Sequence, residues 1–403
     1  MTDTPEREQV VGMGAKGDGV TRNGRFVAGA VPGDTVGPDG TILSHSPNHI
    51  APACRHFRTC GGCQIQHVAD PAIADFARDR LLQALVRYRI APTELMPAHL
   101  SPPGARRRAA MRATRTHGQV RLGFNAEGAH NLVDCHECPV LHPALFALVA
   151  PLRRLLGPHL RERSAIGITM TLTDAGVDLL LANLQADSLP LIEGLTDFAH
   201  AHGLARLSVE GPMGVETLVA AADPAVRLGG VPVTLPPAAF LQATADGEAA
   251  LVDAVTTIIG GAGQVADLFA GSGTFALPLS RTARVEAVDG AGPAIRALEA
   301  AARRAGRPVT VQHRDLFRRP LTAAELAPFD AVVIDPPRAG AIAQTEQLAL
   351  SKVPVIAAVS CNPATFARDA ERLVGGGYTL HRLWPIAQFR WSTHVELVGE
   401  FRR

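Results

Sequence analysis

The sequence predicts an α/β chain with a helix-covered parallel sheet at its C-terminus. An α+β unit carrying a cysteine cluster precedes that sheet, and a small β unit precedes both. Three observations predict this. From 264 onward the apolar runs QVADLF, RVEAVD, VTVQH, AVVID and VPVIAAVS alternate with helical stretches. Continuous apolar strands separated by helices are what a sheet buried on both faces requires. Residues 106–237 instead mix strand-like runs (VRLGF, IGITMTL, VDLLLANL, ARLSVEG, ETLVAA) with one helix near 188–202. Residues 9–46 are dense in turn signals (GDGV, RNGR, VPGD, GPDG).

At 403 residues the chain exceeds one ordinary core. A hydrophobic fraction of 47% with 19% charged residues excludes disorder. No apolar run approaches the ~18 residues that cross a bilayer. The opening MTDTPEREQV has none of the apolar core of a signal peptide. A soluble, cytoplasmic protein is expected, monomeric by default.

Net charge is only +1, yet its distribution is uneven. Lys16 and Lys352 are the sole lysines, so arginine carries the positive charge. Between Glu94 and Glu127 there is no acidic residue, while Arg106, Arg107, Arg108, Arg112, Arg115 and Arg121 fall there. Guanidinium groups so placed suit phosphate contacts and base stacking, or form a plain solvated face.

Taken in order, residues 1–46 read as the β unit and 47–63 as a cysteine-bearing loop. The stretch 71–90 reads as an amphipathic helix, with Ile73, Phe76, Ala77, Leu81, Ala84, Leu85 and Tyr88 at helical spacing. The last two strands, YTLHRLWPI and HVELVGEF, have no helix between them and read as an antiparallel hairpin closing the sheet. This is the organisation of a class I (Rossmann-like) methyltransferase domain. The division is 1–46 for the β unit, 47–65 with 99–238 for the central domain, and 66–98 with 239–403 for the C-terminal domain.

Asp267-Leu-Phe-Ala-Gly271-Ser-Gly273-Thr-Phe275 follows the first predicted strand of that domain and opens a helix. Glycines there allow a sharp turn and close ligand approach. The next strand ends in Asp289, where a carboxylate can accept both ribose hydroxyls. Ala276 replaces the third glycine of a dinucleotide fingerprint, which favours adenosylmethionine over NAD. Asp315 fits a further contact on the adenine side. Asp335-Pro-Pro ends the fourth strand, and Cys361, after the fifth, lies at the same sheet edge, where such folds bind ligands. A cysteine in a polar Ser-Cys-Asn-Pro turn is a candidate nucleophile, and Glu396 on the last strand a candidate base.

DLFAGSGTF, IDPPRAG, SCNPATFARD and HVELV, in this order, resemble the RNA uridine-5 methyltransferases, which make 5-methyluridine in tRNA and 23S rRNA. The resemblance implies that Cys361 adds to uracil carbon 6, making carbon 5 nucleophilic toward the methyl sulfonium. It further implies that Glu396 removes the carbon-5 proton and that Asp335 sits beside the uracil. Phe240-Leu-Gln242 resembles the family's Phe-x-Gln-x-Asn stretch, with Thr244 in place of Asn. Gln242, Phe269, Gly271, Asp289 and Asp335 are thus the expected cofactor contacts. Phe240, Phe269, Phe389 and Trp391 are candidates to stack on a flipped base, and each reads equally as a core residue.

Cys54, Cys60, Cys63, Cys135 and Cys138 suggest a metal site, and their spacing alone admits either zinc or an iron–sulfur cluster. The stretch also resembles the family branch carrying a [4Fe–4S] cluster, which implies Cys54, Cys60, Cys63 and Cys138 as ligands and leaves Cys135 over. That branch implies 23S rRNA, a structured RNA, as partner; tRNA is the alternative substrate. GDGV…VPGDTV resembles the first half of a TRAM domain, a small RNA-binding barrel, here truncated because Pro47–Cys54 arrives early. Cytosine as target base, and a catalytically decayed RNA-binding or assembly factor, are the remaining alternatives. Asp335, Cys361 and Glu396 standing together argue against the last.

Overall fold

In the computed structural model, which describes residues 7–129 and 131–403, the apolar runs of the last third become one sheet. Its strands are β1 (Gln264–Leu268), β2 (Arg284–Asp289), β3 (Val309–His313), β4 (Ala331–Ile334), β5 (Val355–Ser360), β6 (Thr379–Ala387) and β7 (Glu396–Arg402). The order is 3-2-1-4-5-7-6, with β1 to β5 parallel and β7 antiparallel to both neighbours. The hairpin of the last two strands therefore forms with its second strand inserted between β5 and β6. Every residue of β4 is buried, as is most of β1 and β5, because helices cover both faces.

On one face lie α1 (Asp70–Val86), α4 (Ile342–Leu350) and α5 (Pro363–Gly375); on the other lie α2 (Ala245–Ile259) and α3 (Gly292–Arg304). Alternation sorts the strand side chains between them: Ala266 and Leu268 join the first core, Val265 the second. The first helix turns Ile73, Phe76, Ala77, Leu81 and Leu85 inward, as its spacing predicts. It ends at Val86, four residues earlier than the pattern suggested. Arg89 is left-handed (φ 57°) and Ile90 folds back to bond Leu85, so Tyr88 lies beyond the helix. Two short strands, Glu94–Leu95 and His99–Leu100, then add to β6.

The middle of the chain forms a separate seven-stranded sheet. Its strands run in the order 132–134, 119–125, 108–116, 165–173, 176–182, 206–211, 214–220, with a core of its own. Only 176–182 and 206–211 are parallel, with the helix Leu189–Ala201 between them in sequence. Asp178 and Arg206 pair across those two strands through a bidentate fork of 2.9 and 2.7 Å. The N-terminal unit is a five-stranded sheet spanning Glu8–Ser44. The polar opening residues 1–6 lie outside the described residues. No helix is long and apolar enough to cross a membrane among the described residues.

The arginine-rich segment differs from a free basic face. Arg107 pairs with the buried Glu248 at 2.7 Å, and Arg115 donates to the Gly157 carbonyl at 2.5 Å. Arg106 turns inward, while Arg112 and Arg121 are exposed. Arginine on a strand alternates between faces like any residue, so half of the run serves the fold.

Candidate active site

The carboxyl ends of β1, β2, β4 and β5 open into a cleft of about 960 Å³. After β1 the backbone reverses at once. Phe269 adopts φ 64°, and both Phe269 and Ala270 donate to the Val288 carbonyl at 2.9 and 3.2 Å. A left-handed aromatic residue is strained and holds only where its surroundings dictate it. Gly273 has φ 100°, and a Cβ there would meet Leu298 at 2.5 Å, so glycine is required. The Gly271 N–H donates to Asp289 at 2.8 Å, which locks the loop against the end of β2. Phe317 tilts against Phe269 with ring centroids 5.3 Å apart.

Gln242, Phe269, Gly271, Asp289, Asp315, Asp335, Cys361 and Glu396 all line this cleft. Phe240 and Phe389 line it too, whereas Trp391 is buried in the core and is not available to stack. Thr244 caps α2 through Gly247 N–H at 3.0 Å and meets Ser101 at 2.9 Å. Its side chain holds a helix rather than a ligand.

Cys361 is set by its neighbours. Ser360 and Asn362 bond each other across it at 3.1 and 3.2 Å, and Asn362 caps α5. Pro363 begins that helix with the fixed φ a first turn needs. Burial, then the Glu396 and Asp335 carboxyls, push the Cys361 thiol up to about 11, against the pull of Arg338. Asp335 is raised to about 7 by burial and by Asp289. Glu396 is raised to about 8 by burial and Asp335, with Gln388 pulling it back. Asp267, fully buried beneath the loop, is held well above the ordinary carboxyl range by burial and by Asp335.

Gln388 is the residue that sequence reasoning missed. Its side-chain amide donates to Gln242 at 2.7 Å and to Glu396, and its carbonyl accepts from Thr244 N–H at 3.3 Å. One buried amide thus fixes both the expected cofactor glutamine and the candidate base. A lone Gln just past the end of a strand carries no pattern that would flag it.

The five remaining cysteines line a second cavity of about 160 Å³. Gly62 and Arg106 border both this cavity and the cleft, so a site remote in sequence is adjacent in space. Arg106 also lies over the Phe389 ring, 5.6 Å from its centroid. Gln64 and Ile65 donate to the Trp391 carbonyl at 2.9 and 3.0 Å, which ties the cysteine loop to the segment bearing Phe389 and His394. Burial pushes Cys63 up to about 12 and raises Cys54 and Cys60. Cys138 is lowered by its close neighbour Cys135, whose thiol donates to the Glu137 carbonyl at 3.2 Å. Among the described residues no three thiols lie within 4.8 Å of one another.

A family model described as tRNA (Uracil-5-)-methyltransferase matches residues 309–400. An RNA methyltransferase of Zymomonas mobilis is 46% identical over 396 residues, covering 98% of this chain and 100% of that one. The 23S rRNA (uracil(1939)-C(5))-methyltransferase RlmD of Halomonas elongata is 35% identical, covering 97% and 88%. The crystal structure of Pyrococcus abyssi tRNA (uracil-54, C5)-methyltransferase in complex with S-adenosyl-L-homocysteine superposes with a TM-score of 0.77 at 22% identity. It covers 98% of this chain and 99% of that one, and so shares its fold.

Proposed function

Since the chain belongs to the family of S-adenosylmethionine-dependent RNA uracil-5 methyltransferases, we propose that it forms 5-methyluridine in 23S rRNA with Cys361 as covalent nucleophile. The observation that supports this reading is the convergence of Asp335, Cys361 and Glu396 with the loop at Gly271 in one cleft. Gly271, Asp289, Phe269 and Gln242 hold the cofactor in this reading, Asp289 through its carboxylate and Phe269 through its ring face. Bound there, adenosylmethionine supplies the electrophilic methyl group and a sulfonium charge opposite in sign to the cleft's carboxylates.

Uracil enters between the Phe389 side of the cleft and Asp335. Asp335, one of the carboxyls beside Cys361, takes the thiol proton; the thiolate adds to carbon 6, and the electron pair of the 5,6 double bond moves toward the carbon-4 oxygen. Carbon 5 then takes the methyl group, whose bond to the sulfonium sulfur breaks to leave a neutral thioether. Glu396 accepts the carbon-5 proton, the double bond re-forms, and the thiolate leaves. Asp335, raised to about 7, can hold a proton to share with a uracil oxygen or ring nitrogen.

Support for 23S rRNA over tRNA comes from the Halomonas relative, whose identity of 35% exceeds the 22% of the tRNA enzyme. The test is methyl transfer from labelled adenosylmethionine to unmodified 23S rRNA and to tRNA transcripts, followed by nucleoside analysis. Label in 5-methyluridine from 23S rRNA is expected. Label from tRNA alone would keep the reaction and discard the substrate, and no label in either would favour a decayed enzyme.

Cys54, Cys60, Cys63 and Cys138 would hold a [4Fe–4S] cluster, which binds the 54–63 loop to the 135–138 turn beside the cleft wall. Protein purified without oxygen is expected to be brown and to contain iron and acid-labile sulfide in equal amounts, and Cys60→Ser to lose both. Colourless protein holding zinc would overturn the assignment.

A further inference from the structure

The N-terminal unit carries a side-chain cluster that this reaction does not use. Asp34 closes the VPGD turn, fully buried, with Oδ1 accepting Ser46 N–H at 2.7 Å and Oδ2 accepting Val31 N–H at 3.1 Å. His49 Nδ1 lies 2.8 Å from Asp34 Oδ2 and 2.9 Å from His45 Nδ1, while His45 Nδ1 is 4.0 Å from Asp34 Oδ2. A histidine ring nitrogen has one in-plane direction, holding either a proton or a lone pair. His49 Nδ1 therefore cannot make two full hydrogen bonds at once. An ion held between the three atoms satisfies them together.

The separations support this. Lengths of 2.9, 2.8 and 4.0 Å are close to the legs and hypotenuse of a right triangle. A point about 2.0 Å from all three atoms lies between them, matching metal–imidazole and metal–carboxylate bonds of about 2.0–2.2 Å. Seen from that point, Asp34 and His45 stand opposite each other with His49 at about a right angle, a square-planar or octahedral meridian rather than a tetrahedron. The His45 side chain is 60% exposed, against 15% for His49 and none for Asp34. Water can thus complete the coordination from the open side.

We propose that Asp34, His45 and His49 form a site for a divalent late transition-metal ion of the nickel and copper class, separate from the cysteine cavity. Ile50 N–H donates to the His67 carbonyl and Ala69 N–H to the Asn48 carbonyl, both at 2.9 Å. An ion there fastens the Asp34 turn of the β unit to the chain leading into α1.

Equilibrium dialysis of the anaerobically purified full chain against Ni²⁺ tests the site. The expected result is one bound equivalent that weakens more than about tenfold in His45→Ala and in His49→Ala, and persists in a variant of the exposed His200. Asp34 is left intact because it also holds two backbone N–H groups. His45 is exposed, so its replacement leaves the fold and methyl transfer unchanged. Equal Ni²⁺ binding by all variants would place the ion elsewhere, and no binding by the wild type would leave a hydrogen-bonded triad; either overturns the proposal.

Discussion

Replacing Cys361 by alanine is expected to lower methyl transfer more than about 10⁴-fold, or about 5.4 kcal/mol of barrier, with cofactor affinity within about threefold of wild type. Carbon 5 of uracil is a weak nucleophile, so without addition at carbon 6 the methyl group has no partner of adequate reactivity. The cofactor contacts proposed for Phe269, Gly271 and Asp289 stand in the loop after β1 and at the end of β2, whereas Cys361 follows β5. The Ser360–Asn362 bonds and the Asn362 cap do not involve the thiol, so alanine leaves that turn in place. Single-turnover transfer to unmodified 23S rRNA, alongside dialysis with adenosylmethionine, measures both quantities. Transfer within tenfold of wild type would remove Cys361 from the mechanism, and lost cofactor binding would make it a structural residue.

What could be read in the sequence follows from which residues have only one explanation. β4 and β5 are apolar without interruption because both faces are covered, and such runs have few other uses. Asp335, Cys361 and Asp289 stand directly at the ends of those strands and of β2, so strand ends alone placed them at a ligand-binding edge. Arginine is more ambiguous. Arg107 reads as a phosphate contact or as part of a solvated face and is instead paired with Glu248, because sequence cannot distinguish a solvated guanidinium from a paired one. Trp391 reads equally as a stacking ring or as core, and burial decided for core. The Gln388–Gln242 bond arises only when distant segments meet, as does the wall that Arg106 shares between cysteine cavity and cleft. Such contacts leave no period or spacing in the chain.

Glu396→Gln is expected to stop turnover at a different point, trapping the RNA on Cys361. Addition and methyl transfer need no base at carbon 5, but re-forming the ring double bond requires that proton to leave. Glutamine is close to glutamate in shape and keeps an oxygen to accept from the Gln388 amide, so the pocket stays assembled. A protein–RNA band surviving denaturation should appear in the variant and be scarce in the wild type. The pH response separates this from a general loss of activity. Burial and the Asp335 carboxyl raise Glu396 to about 8. Below that pH the carboxyl is protonated and cannot accept the carbon-5 proton; above it the carboxylate can. The ratio of trapped adduct to released product in the wild type should therefore fall as pH rises through about 8, and the variant should show no such fall. An active wild type paired with a variant that forms no adduct would assign the base to another residue. A variant that still turns over would show that elimination does not pass through this carboxyl.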